Sequence, residues 1–186
     1  MTTFSELPLS SAIQRKLAAA QFINLTPIQE RAIPPALEGR DVIGTAETGT
    51  GKTLAFLIPL IETLNREPVR HTVALVLLPT RELAMQVHEQ YEQLRTKVMP
   101  KAALIIGGVS ENAQIQSLRA GSELVIATPG RLQDLVNRQL ADLRRVTLLV
   151  LDEADRMTLL ATHRESTGVI EFEAQAPSGH LVVGQT

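Results

Sequence analysis

Ala46-Glu47-Thr48-Gly49-Thr50-Gly51-Lys52-Thr53 sets glycines, a lysine and a threonine in the order that a phosphate cradle requires. Asp41-Val42-Ile43-Gly44 before it reads as a short apolar strand, and Leu54 to Leu64 after it reads as a helix. Such a strand-loop-helix aims backbone N–H groups and the helix N-terminus at one anion. Gly49 and Gly51 let the backbone bend and approach, Lys52 puts a point charge against β- and γ-phosphates, and the Thr53 hydroxyl can ligate Mg²⁺. Ala46, Thr48 and Thr50 complete the expected nucleotide-binding loop, with Ala46 standing where the usual G-x-x-x-x-G-K-[ST] pattern begins with glycine. A plain glycine-rich turn shares part of this pattern but not its Lys-Thr ending. Because a carboxylate facing polyphosphate repels it, Glu47 is expected to point outward.

From Asp41 onward, buried-type strands alternate with amphipathic helical stretches, the pattern of a parallel sheet covered on both faces. The expected strands are Val42 to Gly44, Val73 to Leu78, Ala103 to Ile106, Leu124 to Ala127 and Thr147 to Leu151. Helical periodicity marks Arg81 to Val98, Glu111 to Ala120 and Arg131 to Gln139. Ahead of the sheet, Ser10 or Ser11 can cap a helix running to Ala20, and Thr26-Pro27 can start another. Ligands of such sheets collect at the carboxyl ends of the strands, where the motifs fall.

Val146-Thr147-Leu148-Leu149-Val150-Leu151 runs straight into Asp152-Glu153-Ala154-Asp155, placing carboxylates where an apolar strand emerges. This looks like a Walker B motif, in which Asp152 holds Mg²⁺ and Glu153 orients and deprotonates the attacking water. Taken alone, an acidic cluster caps the next helix or solvates a loop equally well. Paired with the phosphate loop, it points to the catalytic set Glu153, Lys52 and Asp152, with Thr53 and Asp152 on the metal.

Read together, these motifs resemble the DEAD-box family of ATP-dependent RNA helicases, since Asp152 to Asp155 spell that name, and the resemblance covers residues 4 to 157. Pro79-Thr80-Arg81-Glu82-Leu83-Ala84 is similar to the family's motif Ia, Gly107-Gly108 to its double-glycine motif, and Thr128-Pro129-Gly130-Arg131 to motif Ib. The resemblance implies that Pro79, Thr80, Arg81, Gly107, Gly108, Thr128, Pro129, Gly130 and Arg131 hold single-stranded RNA by its sugar-phosphate backbone, independent of sequence. Strand-to-helix junctions with free N–H groups suit phosphate oxygens. Thr80 and Thr128 are also plausible helix caps, and Gly107-Gly108 also fits a tight turn.

Upstream, Phe22-Ile23-Asn24-Leu25-Thr26-Pro27-Ile28-Gln29 resembles the family's Q motif, with Phe4 as its isolated aromatic. That resemblance implies Gln29 on the adenine edge and Phe22 near the ring. An amide offers a donor and an acceptor to N6 and N7, and Thr26-x-x-Gln29 is also a capping box. Gln21 and Leu25 replace the Gly and Pro usual in relatives, which bears on the path of the entering backbone. The resemblance as a whole implies an α/β, three-layer RecA-like P-loop NTPase domain with a mostly parallel sheet and helices on both faces. Residues 1–40 would be N-terminal helices carrying the Q motif, 41–157 the ATP-binding core and 158–186 a divergent tail. ATP and Mg²⁺ are the expected cofactors.

A chain of 186 residues that is 44% hydrophobic has room for one core-bearing domain. No apolar run reaches the roughly 18 residues of a membrane span, and no signal-peptide pattern opens the chain. Zero cysteines point away from disulfides and thiolate metal sites; a cytoplasmic location is expected, and separately a monomer. Basic and acidic residues balance through Arg156, 17 of each, and the tail supplies the net charge of −2. Any nucleic acid must therefore be gripped by local groups rather than by a bulk positive field. Four Phe, one Tyr and no Trp exclude an extended stacking platform for bases. His71, His88, His163 and His180 show no metal-ligand spacing.

After Met157 the family continues to a strand ending in Ser-Ala-Thr, and this chain does not. Two readings stay open. Leu181 to Val183 fills that strand's slot between the phosphate-loop and Walker B strands, with Gly184-Gln185-Thr186 in place of Ser-Ala-Thr, or the tail is unrelated sequence. With no second RecA-like lobe in these residues, weak ATP–Mg²⁺ and RNA binding with little or no hydrolysis is expected. The alternatives to a helicase lobe are a non-enzymatic, nucleotide-dependent RNA-binding module and a DNA translocase of the wider P-loop class.

Overall fold

The computed structural model describes residues 2–47, 49–65, 69–153 and the strand at 180–185. Its strands are β1 (Val42–Thr45), β2 (Ala74–Leu77), β3 (Ala103–Ile105), β4 (Leu124–Ala127), β5 (Leu148–Asp152) and β6 (His180–Gln185). Its helices are α1 (Ser11–Ala19), α2 (Pro27–Leu37), α3 (Lys52–Leu64), α4 (Arg81–Leu94), α5 (Glu111–Arg119) and α6 (Pro129–Asn137). The described strands form one sheet in the order β1-β6-β5-β2-β4-β3, in which β5, β2, β4 and β3 pair in parallel. This is the α/β architecture expected from the alternating pattern.

The sheet is covered on both faces, and the period of two along each strand divides its side chains between two cores. On β2, Ala74 and Val76 join one core with α3 and α4, while Leu75 and Leu77 join the other with Leu132 and Leu135 of α6. β4 divides likewise, Leu124 and Ile126 against Val125 and Ala127. Ile13 and Leu17 of α1 and Ile33 of α2 belong to the first core, so the N-terminal helices pack as an outer part of that layer. Helix α3 is apolar around its circumference, with Leu54, Phe56, Leu57, Ile58, Leu60 and Ile61 all buried, as a helix between two layers must be.

Several boundaries differ from the sequence reading. Helix α4 stops at Leu94, not Val98, because Arg95 turns to extended backbone and bonds Glu92 at 2.7 Å, leaving Val98 80% exposed. Helix α6 starts at Pro129, with Thr128 as cap, so Gly130 lies inside the first turn; it ends before Gln139, whose φ is 57°. Ser10 precedes α1, but its hydroxyl donates to Glu62 at 2.9 Å instead of capping the helix. Gln21 adopts φ 61°, the left-handed conformation glycine takes freely, so the backbone path holds without the glycine.

Strand β6 is laddered to both β1 and β5, and it is antiparallel to both. Its register sets His180 opposite Thr45 and Leu181 opposite Asp152, while Gln185 faces Leu148. In the first of the two tail readings, this register sets Gly184 and Gln185 at the amino ends of their neighbours, away from the motif-bearing edge. Thr186 and residues 154–179, Ala154, Asp155 and His163 among them, lie outside the described residues.

Truncating Phe56 to Ala is expected to lower unfolding free energy by about 3–5 kcal/mol, because the side chain is fully buried between layers. Met85→Ala, half exposed on α4, is expected to stay within about 0.5 kcal/mol. Urea midpoints at unchanged m-value would measure both.

Candidate functional site

The loop between β1 and α3 is shaped by two left-handed glycines, Gly49 at φ 84° and Gly51 at φ 92°. A Cβ on Gly51 would strike the Gln29 amide nitrogen and sit 3.1 Å from Thr26 Oγ1, so a larger residue here displaces the Gln29 amide as well as straining the left-handed backbone. A Cβ on Gly49 would meet nothing within 4 Å, which leaves that side of the loop open to an incoming group. Lys52 Nζ donates to Ala46 O at 2.7 Å, and Thr50 Oγ1 donates to Glu47 O at 2.7 Å, so both residues brace the loop across its mouth. Glu47 is exposed, as its repulsion from phosphate requires, and Thr48 lies outside the described residues.

Gln29 ties the upstream motif to this loop. Its Oε1 accepts from Thr26 N at 2.9 Å, one half of the capping box, and its Nε2 donates to Gly51 O at 3.0 Å. A primary amide carries two N–H groups and two lone pairs, so one donor and one acceptor remain for a ligand. The contact with Gly51 was not legible from spacing, since it joins residues 22 positions apart.

Across the cleft, β5 delivers Asp152 and Glu153, both at most 9% exposed. Asp152 Oδ1 accepts from Glu153 N at 3.1 Å, and Glu153 holds φ at 52°, a strained value for a non-glycine residue. Burial pushes the Asp152 carboxyl above the ordinary aspartate range; the Lys52 ammonium opposes this and the Glu153 charge adds to it. Phe4, Phe22, Asn24, Thr26, Lys52, Thr53, Asp152 and Glu153 share the walls of one cleft of about 470 Å³ with Leu83, Gln86 and Gln90 of α4. Sequence reasoning missed Gln86 and Gln90; their i, i+4 spacing on a helix that follows a strand-end motif was the available signal.

A hard divalent cation fits this donor set. The described residues hold no cluster of three or more His, Cys, Asp or Glu. They offer a buried carboxylate in the same cleft as a threonine hydroxyl, the sparse oxygen set that suits Mg²⁺ shared with phosphates and water.

The remaining motif residues meet at the ends of the next three strands. Thr80 caps α4, its hydroxyl accepting from Leu83 N at 3.3 Å, and Pro79 precedes it. The Arg81 guanidinium lies over Gly107-Gly108, 3.2 Å from where a Gly107 Cβ would be; at Gly108, φ 79° adds a second demand for glycine. Thr128 N donates to Ile105 O at 3.0 Å, and a Cβ on Gly130 would meet nothing within 4 Å. Arg131 is not a bare charge: its Nη1 lies 2.6 Å from Glu111 Oε2.

Residues 26–172 match the DEAD/DEAH box helicase family, well over half of the chain. The chain belongs to that family. The match runs past Met157, where the sequence resemblance was set to stop, and ends within the tail. Among DEAD-box relatives, a probable ATP-dependent RNA helicase ddx17 from Dictyostelium discoideum is 47% identical over 83% of this chain and 20% of its own length. The DEAD-box ATP-dependent RNA helicase CshA from Streptococcus pneumoniae is 45% identical over 83% of this chain and 29% of its own length. The chain thus spans a fifth to a third of the curated relatives named here. A crystal structure of a DEAD box protein from the hyperthermophile Methanococcus jannaschii superposes with TM-score 0.76 at 39% identity, covering 84% of this chain and 43% of that one. The three-layer sheet is therefore the RecA-like fold of DEAD-box proteins. No helix among the described residues is long and apolar enough to cross a membrane.

Because Asp152 binds its proton more tightly folded than unfolded, its ionisation costs stability. Stability is expected to fall as pH rises from the ordinary aspartate pKa through the raised folded value. Asp152→Asn is expected to remove that component, leaving the thermal midpoint at neutral pH equal or higher. A clearly lower midpoint at neutral pH would show instead that attraction to Lys52 outweighs burial.

Proposed function

We propose that this chain is the ATP-binding lobe of a DEAD-box RNA helicase, binding ATP and Mg²⁺ at one half of the sheet edge and RNA backbone at the other. The observation that carries the reading is the convergence of the phosphate loop, Lys52, Thr53, Asp152 and Glu153 on one cleft, beside a second cluster on the neighbouring strand ends. In this reading, Lys52 exchanges its Ala46 carbonyl for phosphate oxygens while loop N–H groups and the start of α3 receive the rest. The free donor and acceptor of Gln29 read the adenine edge, and Phe4 and Phe22 wall the ring's end of the cleft. Thr53 and Asp152 would hold Mg²⁺, which would supply positive charge to a bound polyphosphate. Glu153 orients a water and takes its proton.

At the other half, Thr80, Arg81, Gly107, Gly108, Thr128, Gly130 and Arg131 receive RNA phosphates, contacts that position a strand without carrying sequence information. Duplex separation belongs to the longer proteins that relatives represent, with a second RecA-like lobe clamping the same strand. A second reading, a nucleotide-dependent RNA-binding module without hydrolysis, draws support from β6, whose antiparallel course takes Gly184 and Gln185 away from the site edge.

Lys52→Ala is expected to weaken ATP·Mg²⁺ binding by roughly 10- to 100-fold, the worth of a charged hydrogen-bonding partner, as read by calorimetry. Glu153→Gln is expected to keep nucleotide affinity and abolish RNA-stimulated phosphate release, assayed with a relative's second lobe supplied in trans. Release that neither variant diminishes would refute the proposed chemistry. No release from the unaltered chain in that assay, with binding intact, would favour the module.

A further inference from the structure

Glu111 belongs to none of the motifs, yet it sits at the centre of the largest ion network among the described residues. Its Oε2 takes Arg131 Nη1 at 2.6 Å and its Oε1 takes Arg138 Nη2 at 2.7 Å. Arg138 reaches back through Nη1 to Asp134 Oδ2 at 2.9 Å, and Arg131 Nη1 lies 3.6 Å from the same oxygen. The network joins the first residue of α5 to the first and last turns of α6. Two carboxylates meet two guanidinium groups, so it carries no net charge.

The two arginines are held differently. Arg138 is engaged at both terminal nitrogens, each by its own carboxylate, and acts as a brace. Arg131 is engaged through Nη1 alone, so Nη2 and Nε keep their N–H groups without a partner among the described residues. That open edge belongs to a side chain only one-fifth exposed, next to Gly130, where the first turn of α6 fronts empty space. The Glu111 carboxyl is held below the usual glutamate range, chiefly by Arg138 and then by Arg131, so it remains an anion at neutral pH. A long side chain that would otherwise lose rotamer freedom on binding is thus ordered beforehand.

We propose that Glu111 is a positioning residue for RNA backbone binding: it fixes Arg131 by one nitrogen so that the remaining donor edge meets a phosphate at the start of α6. This rests on the RNA-facing reading of Arg131 given above. Two effects of removing Glu111 carry opposite signs. Taking away a negative charge beside a phosphate site strengthens RNA binding through the local field, whereas loss of positioning weakens it. The sign of the change therefore separates a positioning residue from a mere neighbouring anion.

The test is fluorescence anisotropy of a labelled single-stranded oligouridylate on the whole chain, with Mg²⁺ and a non-hydrolysable ATP analogue, for Glu111→Ala, Arg131→Ala and the double variant. Glu111→Ala is expected to weaken RNA binding by roughly 3- to 10-fold and to add almost nothing in the Arg131→Ala background. The slope of log affinity against log salt is expected to flatten by about 0.7, one phosphate contact on a single strand. Nucleotide-analogue affinity should stay unchanged. Glu111→Gln, isosteric and partly exposed, carries the test if the alanine variant misfolds, with a smaller loss of the same sign expected. Unchanged or tighter RNA binding on loss of Glu111, while Arg131→Ala weakens it, would overturn the positioning role and leave the RNA reading intact. An Arg131→Ala variant that binds RNA as the parent does would overturn both.

Discussion

A carboxylate withdrawn from water is the constraint around which this edge of the molecule is organised. Asp152 ends a strand whose residues are all buried, and its charge is opposed by burial and by Glu153 and relieved by Lys52. The Lys52 ammonium that relieves Asp152 is itself drawn to the Ala46 carbonyl. Burial thus opposes the Asp152 charge at the spot where Gly49, Gly51 and Lys52 at the start of α3 also line the cleft. In the proposed reading, a polyphosphate would enter such a surface together with a cation, which would relieve the buried carboxylate.

The constraint reaches outward through Gln29. Its amide links the entry of α2 to the Gly51 carbonyl, so the position of the phosphate loop depends on the packing of the N-terminal segment. Phe4 N bonds Ile23 O at 3.0 Å, and Phe4 and Leu7 enter the same core as α3. The N-terminal residues thus serve two ends at once, closing one side of the sheet and walling one end of the cleft.

Much of this was legible in the sequence because the signals were local. Apolar runs of strand length separated by periodic helices gave the layers, and the glycines of the phosphate loop showed positive φ where a cradle demands it. The same locality explains the errors. Val98 continues the apolar spacing of α4, but Arg95 finds Glu92 and turns the chain first. Sequence spacing has no information on which way a strand runs, so the open reading that set Leu181 to Val183 between the phosphate-loop and Walker B strands lacked the antiparallel sense that decides which end meets the site. Glu111 escaped notice for a similar reason: its partners lie 20 and 27 positions away, brought close by the adjacency of β3 and β4.

Helix α4 shows how the two halves of the edge are made one object. Its cap, Thr80, and its first residue, Arg81, belong to the cluster over Gly107-Gly108, while Leu83, Gln86 and Gln90 on later turns line the cleft with Asp152. Ala84, Val87, Tyr91 and Leu94 bury the opposite stripe in the core, and the Tyr91 hydroxyl donates to Pro100 O at 2.7 Å, so the helix is locked against rolling. A rigid rod anchored along its apolar face cannot shift at the cleft end without carrying its N-terminus along. Gln86 and Gln90 at the cleft and Thr80 and Arg81 over Gly107-Gly108 thus sit on one packed element, the physical link through which the two proposed sites would be coupled.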